Sequence, residues 1–189
     1  MCMKIIINEA NKTNIINKSK FIGIIQKIMR EDDVKEILNK LRNEYHDATH
    51  ICYAYILPNK EKYSDDGEPL GTAGIPILDI LKKNNLTYTI AIVIRYFGGI
   101  KLGSNGLIRA YSGIIKELIK DNIKEIEEAY TIEIEENYEN NDLINYLLKD
   151  NIIIQKEYQD KIKIKAIVKK KTLENLSNVN FKIINETFI

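Results

Sequence analysis

The sequence predicts an α+β protein built from two domains, residues 1–126 and residues 127–189. Seven of the nine glycines lie between Gly67 and Gly106, and neither glycine nor proline occurs after Gly113. The sign of the net charge also differs between the two parts. Residues 1–126 hold 19 basic and 15 acidic side chains, whereas residues 127–189 hold 9 basic and 12 acidic side chains. The two parts are therefore expected to be built differently. Their boundary is set by pattern, since no Pro- or Gly-rich linker marks it.

The first third of the N-terminal domain predicts strands followed by a helix. Short apolar runs at residues 5–7 and 21–28 are typical of strands. Asp33 with Glu36 forms a capping-box pattern, and apolar residues then recur at helical spacing up to Tyr45. We therefore expect a helix with Asp33 as its N-cap and its end near Tyr45.

The rest of the domain continues to alternate strands and helices. Alternation over residues 51–56 predicts a third strand or strand pair, followed by a polar loop. Thr72 is expected to cap a helix that runs to about Lys83. Residues 87–97 are so continuously apolar that they predict a strand covered on both faces. A last helix is indicated by an apolar stripe of Leu107, Tyr111, Ile114, Ile115 and Leu118.

The C-terminal domain shows the element order βαββαβ. The predicted elements are strand 130–138, helix 142–149, strands 152–158 and 161–169, helix 173–177 and strand 181–187. This order within about sixty residues favours a ferredoxin-like arrangement, with the helices on one face of an antiparallel sheet.

Composition excludes several classes of protein. The longest uninterrupted aliphatic run, Ile90–Ile94, falls far short of the roughly 20 residues of a membrane helix, and the N-terminus lacks an apolar signal core. Cys2 and Cys52 cannot form a disulfide framework. A net charge of +1 gives no global attraction to nucleic acid or acidic membranes. We therefore expect a cytoplasmic protein without a membrane partner.

The strongest local signal is a glycine-rich loop, residues 98–106, which follows a predicted strand and opens a helix. Exposed backbone N–H groups and the positive end of a helix dipole favour an anion such as phosphate. The loop matches neither a P-loop, because the Walker lysine is missing, nor a Rossmann turn. The alternative is that the glycines only permit positive φ and close packing. The candidate anion- or nucleic-acid-binding residues are Arg95, Gly98, Gly99, Lys101, Gly103, Ser104, Gly106 and Arg109.

A second signal is an acidic segment, residues 64–76, which precedes a predicted helix. Asp65, Asp66 and Glu68 supply hard oxygen ligands of the kind that Mg²⁺ accepts. The alternative is a turn in which aspartate side chains accept hydrogen bonds from nearby backbone N–H groups. If the fold places this segment beside the glycine-rich loop, the two would suit a metal-bridged phosphate.

A third cluster holds His46, His50 and Cys52. Zinc is not favoured, because the glutamate of an HExxH motif and a second Cys/His cluster are both missing. The strand alternation around Cys52 is typical of a buried structural thiol. His50 remains a candidate acid or base.

Lysines alternate with apolar residues along a predicted hairpin strand at residues 161–169. A solvated face that guards a sheet against edge pairing explains this pattern, and an RNA contact surface is the alternative.

The acidic segment and the glycine-rich loop form an ordered pair of motifs. Ser-Asp-Asp-Gly-Glu-Pro at residues 64–69 is followed by Gly-Thr-Ala-Gly at 71–74, then by Arg-Tyr-Phe-Gly-Gly at 95–99 and Lys-Leu-Gly at 101–103. This pair resembles the IMPACT family, in particular its bacterial YigZ branch, over roughly residues 15–120. One departure is Asn105, where many relatives carry a second glycine.

The resemblance implies an N-terminal domain similar to the second domain of the fifth small-subunit ribosomal protein, followed by a ferredoxin-like domain. The same two folds occur in tandem in elongation factor G. Family members are linked to translational regulation, and no catalytic activity is firmly established for them. Fold analogy alone is a weak warrant for function, but it favours ribosome or RNA binding.

Two hypotheses follow for the function. The first is a non-enzymatic, cofactor-free regulatory protein of translation that binds the ribosome, rRNA, tRNA or a ribosome-associated protein through Arg95, Lys101, Arg109 and the glycine-rich loop. The second is an Mg²⁺-dependent enzyme acting on a phosphorylated small molecule or nucleotide. In that enzyme Asp65, Asp66 and Glu68 hold the metal, and His50 serves as acid or base.

Overall fold

A computed structural model describes residues 3–189, so Cys2 lies outside the described residues. Contacts between residues divide the chain into an N-terminal unit, Met1–Glu125, and a C-terminal unit, Ile126–Ile189. Each unit combines an antiparallel sheet with helices, which confirms the predicted α+β class. None of the helices in residues 3–189 has the length and apolar character of a membrane-spanning segment.

The N-terminal unit is built on a five-stranded antiparallel sheet with the order β2-β3-β6-β4-β5. A short β1 pairs with a short β7 in a separate two-stranded sheet. The strands are β1 (Met3–Ile6), β2 (Ala10–Ile16), β3 (Ser19–Lys27), β4 (His50–Leu57), β5 (Lys60–Ser64), β6 (Thr89–Tyr96) and β7 (Ile123–Ile126). The helices are α1 (Glu31–Glu44), α2 (Gly74–Lys83) and α3 (Gly103–Ile119).

The central strand β6 is buried on both faces, as its apolar sequence predicts. Ala91 and Val93 belong to the core that α2 and α3 form on one face of the sheet. Ile90, Ile92 and Ile94 belong to the core under α1 on the other face. Successive side chains of a strand point to opposite faces, so a strand between two helical layers must be apolar throughout.

The start of α1 differs from the prediction that Asp33 is its N-cap. Arg30 is the N-cap, and Asp33 is the third helical residue. The Asp33 carboxylate reaches back to accept hydrogen bonds from the N–H groups of Met29 (2.7 Å) and Arg30 (3.1 Å). Asp33 thus serves as the acidic half of a capping box whose N-cap lies three residues earlier. The predicted end is confirmed, because Tyr45 is the C-cap.

The start of α2 also differs from the prediction, because Thr72 is not its cap. The helix begins at Gly74 with Ala73 as N-cap. The Thr72 hydroxyl instead donates a hydrogen bond to the Pro69 carbonyl at 2.7 Å.

Two strands of the five-stranded sheet, β2 and β5, were not predicted from the sequence. β2 forms a hairpin with β3 through a turn at Asn17 and Lys18, whose φ angles of 48° and 63° are left-handed without a glycine. β5 pairs only with β4 and is largely exposed. Both are polar edge strands, and an edge strand that buries little surface needs no apolar alternation.

The C-terminal unit has the predicted βαββαβ order and a sheet of order β11-β8-β10-β9. Its core lies between the sheet and the two helices. This antiparallel arrangement confirms the ferredoxin-like prediction. The elements are β8 (Glu128–Glu136), α4 (Asn141–Leu147), β9 (Ile152–Tyr158), β10 (Ile162–Lys169), α5 (Lys170–Asn175) and β11 (Phe181–Phe188), with a 3₁₀ turn at Tyr138–Asn140.

Two lysines of β10 face acidic residues on neighbouring strands. Lys163 lies opposite Glu135 of β8 and Glu157 of β9, and Lys165 lies opposite Glu133. Cross-strand pairs of opposite charge stabilise a sheet modestly and leave little net positive charge. This arrangement favours a solvated face over an RNA contact surface.

Candidate functional site

The two predicted motifs meet at one end of the N-terminal sheet. Helix α2 ends shortly before β6, and α3 begins shortly after it. Both helices pack on the same face of the sheet, so both N-termini lie near the end of β6. The acidic segment leads into α2 and the glycine-rich loop leads into α3, which brings the two motifs side by side.

A buried ion pair joins these motifs. Arg95, at the end of β6, places Nη1 2.6 Å from Oε1 of Glu68 in the acidic segment. Tyr111 of α3 donates its hydroxyl hydrogen to the same oxygen at 2.7 Å. The exposed fractions of the Arg95 and Glu68 side chains are 5% and 3%. One carboxylate of the acidic segment therefore binds a residue of β6 and a residue of α3.

The Arg95 guanidinium also connects this cluster to the β2–β3 hairpin. Its Nη2 lies 3.4 Å from Oγ of Ser19, and that oxygen accepts a hydrogen bond from the Gly98 N–H at 3.2 Å. The guanidinium carbon lies 5.3 Å from the ring centroid of Phe21 and 5.4 Å from that of Phe97. Cation–π contacts at these distances stabilise the guanidinium charge in a place from which water is excluded. The Arg95 Nε is buried without a hydrogen-bond partner among the described residues.

The Asp65 carboxylate caps helix α2. It accepts hydrogen bonds from the N–H groups of Gly71 (2.9 Å), Ala73 (3.0 Å) and Gly74 (2.8 Å). These donors have no partner inside the helix, and a carboxylate also suits the positive end of the helix dipole. The hydrogen bonds of Asp65 thus favour the aspartate turn over the metal site.

We expect Asp65→Ala to lower the free energy of unfolding by about 2 kcal/mol, because three partly buried N–H groups lose their acceptor. Urea unfolding followed by circular dichroism measures the change. Asp79→Ala is the matched control, since Asp79 is an exposed aspartate of the same helix. It should shift stability by no more than about 0.5 kcal/mol. Equal effects of the two variants would contradict the capping role.

Asp66 and His50 are tied to each other and to the backbone. Oδ2 of Asp66 accepts a hydrogen bond from the Ile51 N–H at 2.7 Å, and its Oδ1 lies 3.8 Å from Arg42. Nδ1 of His50 lies 2.8 Å from the Asp66 carbonyl oxygen. Because a carbonyl oxygen only accepts, this nitrogen carries the hydrogen. The His50 Nε2 then faces Glu68, with 3.9 Å to Oε2.

Cys52 lies fully buried beside this cluster and donates its S–H to the Asp65 carbonyl at 3.0 Å. Burial raises the pKa of the Cys52 thiol to about 12, and the charges of Glu68 and Asp66 act in the same direction. The thiol therefore stays neutral at physiological pH, which disfavours a nucleophilic role.

In the Cys2→Ser variant Cys52 is the one remaining cysteine. We expect the folded variant not to react with iodoacetamide at pH 8, because burial of Cys52 hides its thiol and the raised pKa keeps it protonated. The same variant should take up one label per chain in 8 M urea, as mass spectrometry would measure. Labelling of the native protein at the rate of a free cysteine would contradict this prediction.

The glycine-rich loop combines one tightly packed glycine with two open ones. A Cβ at Gly98 would overlap the carbonyl group of Lys18 in the β2–β3 turn, so only glycine fits there. Gly99 and Gly103 have φ angles of 83° and 68°, and a Cβ at either would meet nothing within 4 Å. Helix α3 then begins without a side-chain cap. Its first N–H groups therefore remain available to a ligand.

Exposed cations surround this end of α3. Lys18, Lys101 and Arg109 are all exposed. In the part of the chain that the structure describes, none of them forms an ion pair. They carry a local excess of positive charge, although the net charge of the whole chain is only +1.

The predicted anion-binding residues thus divide into an accessible group and one buried residue, Arg95. An accessible group lies in or beside the glycine-rich loop: Gly98, Gly99, Lys101, Gly103, Ser104, Gly106 and Arg109. Arg95 differs from the prediction, because burial against Glu68 prevents its guanidinium from contacting a phosphate in solution. Sequence reasoning assigned no role to Ser19 or Phe97, although Phe97 lies in the Arg-Tyr-Phe-Gly-Gly motif, because their roles depend on contacts with Arg95.

The predicted metal ligands do not fit Mg²⁺. Asp65, Asp66 and Glu68 each use their carboxylate on a different internal partner. Among residues 3–189, no group of three or more His, Cys, Asp or Glu side chains is arranged to hold a metal ion. Mg²⁺ requires oxygen ligands that converge on one octahedron. The metal-enzyme hypothesis therefore gains no support from this arrangement.

Residues 17–119 match the Impact N-terminal domain, which covers more than half of the chain. The chain belongs to the IMPACT family. It is 46% identical over 106 residues to the IMPACT family member YvyE of Bacillus subtilis, covering 54% of this chain and 49% of the relative. It is 37% identical over 110 residues to the IMPACT family member YigZ of Escherichia coli, covering 56% and 53%. The chain thus spans about half the length of the curated relatives it matches.

A solved structure supports the fold over nearly the whole chain. It is described as the crystal structure of a hypothetical protein, and its sequence is 28% identical. The TM-score is 0.64, and the match covers 96% of both chains. This likeness includes the C-terminal unit, which the family match does not reach.

Proposed function

We propose that this IMPACT-family chain is a translation-associated regulatory protein that binds RNA phosphate on the ribosome. The proposed contact is a basic surface, defined as Lys18, Lys101, Arg109 and the glycine-rich loop. The observation that carries the proposal is the set of three exposed cations around the start of α3, none of which has an ion-pair partner among residues 3–189. The link of family members to translational regulation supplies the biological setting.

The chemistry of the basic surface suits phosphate. The first N–H groups of a helix lack intrahelical partners, and the dipole adds about half a positive charge at the same place. Phosphate binds at helix N-termini for this reason. Open space in front of Gly99 and Gly103 allows a phosphate oxygen to approach the backbone.

Arg95 and Glu68 take a supporting role in this proposal. Their ion pair holds the end of β6 against the acidic segment, and Arg95 reaches Ser19 in the hairpin that carries Lys18. The charge of the Glu68 carboxylate is balanced by the Arg95 guanidinium at 2.6 Å, so the pair repels an approaching phosphate much less than an unpaired carboxylate would.

Co-sedimentation with ribosomes between about 50 and 200 mM salt tests the proposal, because phosphate contacts weaken steeply over this range. We expect the Lys101→Ala/Arg109→Ala variant to bind more weakly at low salt. The slope of log affinity against log salt should fall by about 0.7–0.9 for each lost contact.

The matched control is Lys40→Ala/Lys83→Ala, which removes the same charge from exposed lysines elsewhere on the unit. It should change binding little, apart from the small effect of net charge. Binding that is insensitive to salt, or equal losses in the two double variants, would contradict the proposal. Salt-insensitive binding would instead indicate an apolar contact with a ribosomal protein.

A further inference from the structure

We propose that Phe97 is a stacking platform for one unpaired base, so that the basic surface prefers single-stranded RNA to a duplex. This inference rests on the proposed function and names the class of RNA that the site takes. It joins an aromatic ring to a phosphate-binding surface within one continuous stretch of chain, since Phe97 directly precedes Gly98.

Phe97 is held in place although it is exposed. It follows β6, in which every residue from Thr89 to Arg95 is buried, yet 46% of Phe97 is accessible. The Phe97 N–H donates a hydrogen bond to Oγ1 of Thr49 at 3.0 Å. The ring also contacts the Arg95 guanidinium, whose own position is fixed by Glu68.

This support distinguishes Phe97 from a scattered surface hydrophobe. Single exposed apolar side chains are common on proteins and need no function. An aromatic ring that is already immobilised, however, loses little conformational entropy when a ligand stacks on it. Cation–π contact with Arg95 supplies that immobilisation and leaves part of the ring accessible to solvent.

The charges beside Phe97 favour a nucleotide over an apolar peptide as its ligand. Gly98 packs on the turn that carries Lys18, and Lys101 follows three residues later. A nucleotide presents a flat π face and a phosphate together, which matches an aromatic ring beside cations and free N–H groups.

Base accessibility then separates single strands from duplexes. In an RNA duplex the bases are stacked on one another, so their faces cannot reach a side chain. Single-stranded segments expose their bases, and stacking on an aromatic side chain tolerates many sequences. We therefore expect weak sequence preference and a clear preference for unpaired RNA.

The test is fluorescence anisotropy with a labelled 12-nucleotide single-stranded RNA and the same sequence as a duplex. The variant is Phe97→Leu, which keeps an apolar cover over Arg95 but removes the π face. We expect it to weaken single-strand binding by about 5- to 150-fold, the range of one base–aromatic stack. The salt dependence should stay unchanged, because no phosphate contact is lost. Phe97→Tyr should bind like the original chain.

Ile100→Ala is the matched control, since Ile100 is an apolar residue of the same loop with 43% exposure. It should leave single-strand binding unchanged. A second readout uses the absence of tryptophan from the chain. Phe97→Trp introduces a single tryptophan, which can be excited selectively in the presence of the 11 tyrosines. Its fluorescence should be quenched by the single strand and not by the duplex.

The outcomes separate the inference from the proposed function. If both RNA forms bind equally and Phe97→Leu has no effect, while Lys101→Ala/Arg109→Ala weakens both, the stacking inference is wrong and the phosphate site stands. If the folded original chain binds neither RNA form at 50 mM salt, both are overturned. Circular dichroism of each variant checks that the fold is retained.

Discussion

Arg95→Ala is expected to lower the free energy of unfolding of the N-terminal unit by about 3–5 kcal/mol, the usual cost of removing one member of a buried ion pair. The substitution leaves the Glu68 carboxylate buried, with the Tyr111 hydroxyl still 2.7 Å away but without its cation. Domains of this size are typically stable by about 5–15 kcal/mol, so the loss is a large fraction of the total. Urea unfolding of the full chain, followed by circular dichroism, measures it.

A double variant tests whether the cost comes from the unpaired charge. Glu68→Gln/Arg95→Met removes both charges at similar volume and keeps an acceptor for Tyr111. We expect it to recover most of the stability lost in Arg95→Ala, because paired buried charges can often be replaced at little cost. A loss below about 1 kcal/mol in Arg95→Ala would show that the ion pair does not organise this end of the unit.

Gly98→Ala is expected to cost about 3 kcal/mol, at the upper end of the range for overpacking. The added methyl group would overlap the Lys18 carbonyl. The obstacle is backbone, which cannot rotate away as a side chain can. The turn also has little freedom, since Asn17 and Lys18 already have left-handed φ angles. Urea unfolding measures the loss, and hydrogen exchange should show faster exchange in the β2–β3 hairpin.

Gly113→Ala is the matched control for that variant. Gly113 lies inside α3, and a Cβ there would meet nothing within 4 Å. Alanine is the better helix former, so the variant should gain about 0.5–1 kcal/mol. Opposite signs at the two positions would establish that close approach at Gly98, rather than any change of glycine, causes the loss. A loss at both positions would contradict this explanation.

The sequence predicted elements whose burial leaves a periodic pattern. β6 is apolar at almost every position because helices cover both of its faces. The predicted strand 161–169 matches β10 to within one residue, and buried positions alternate along it. The C-terminal unit was predictable as a whole, because its βαββαβ order admits few arrangements of one sheet. The polar strands β2 and β5 left no such pattern.

The candidate site was only partly predictable from the sequence. Arg95 and Glu68 were both singled out, but for two separate sites, an anion site and a metal site. The structure joins them in one ion pair across 27 positions of sequence. Residue type and spacing along the chain report local structure, whereas a partner so distant depends on how the sheet is assembled. Lys101 within the loop and Arg109 beyond it are exposed, and their assignment to an anion site stays a prediction.

The central position of β6 affects the order in which the chain acquires its structure. β3 and β4 precede β6 in the sequence, yet both pair with it, as when Phe21 lies opposite Arg95. The sheet therefore cannot close until synthesis has passed residue 96, and pairings between such distant residues form slowly. Until then the strand edges of β3 and β4 that pair with β6 have no partner. We expect the nascent chain to be most prone to aggregation during this interval, before β6 has been synthesised.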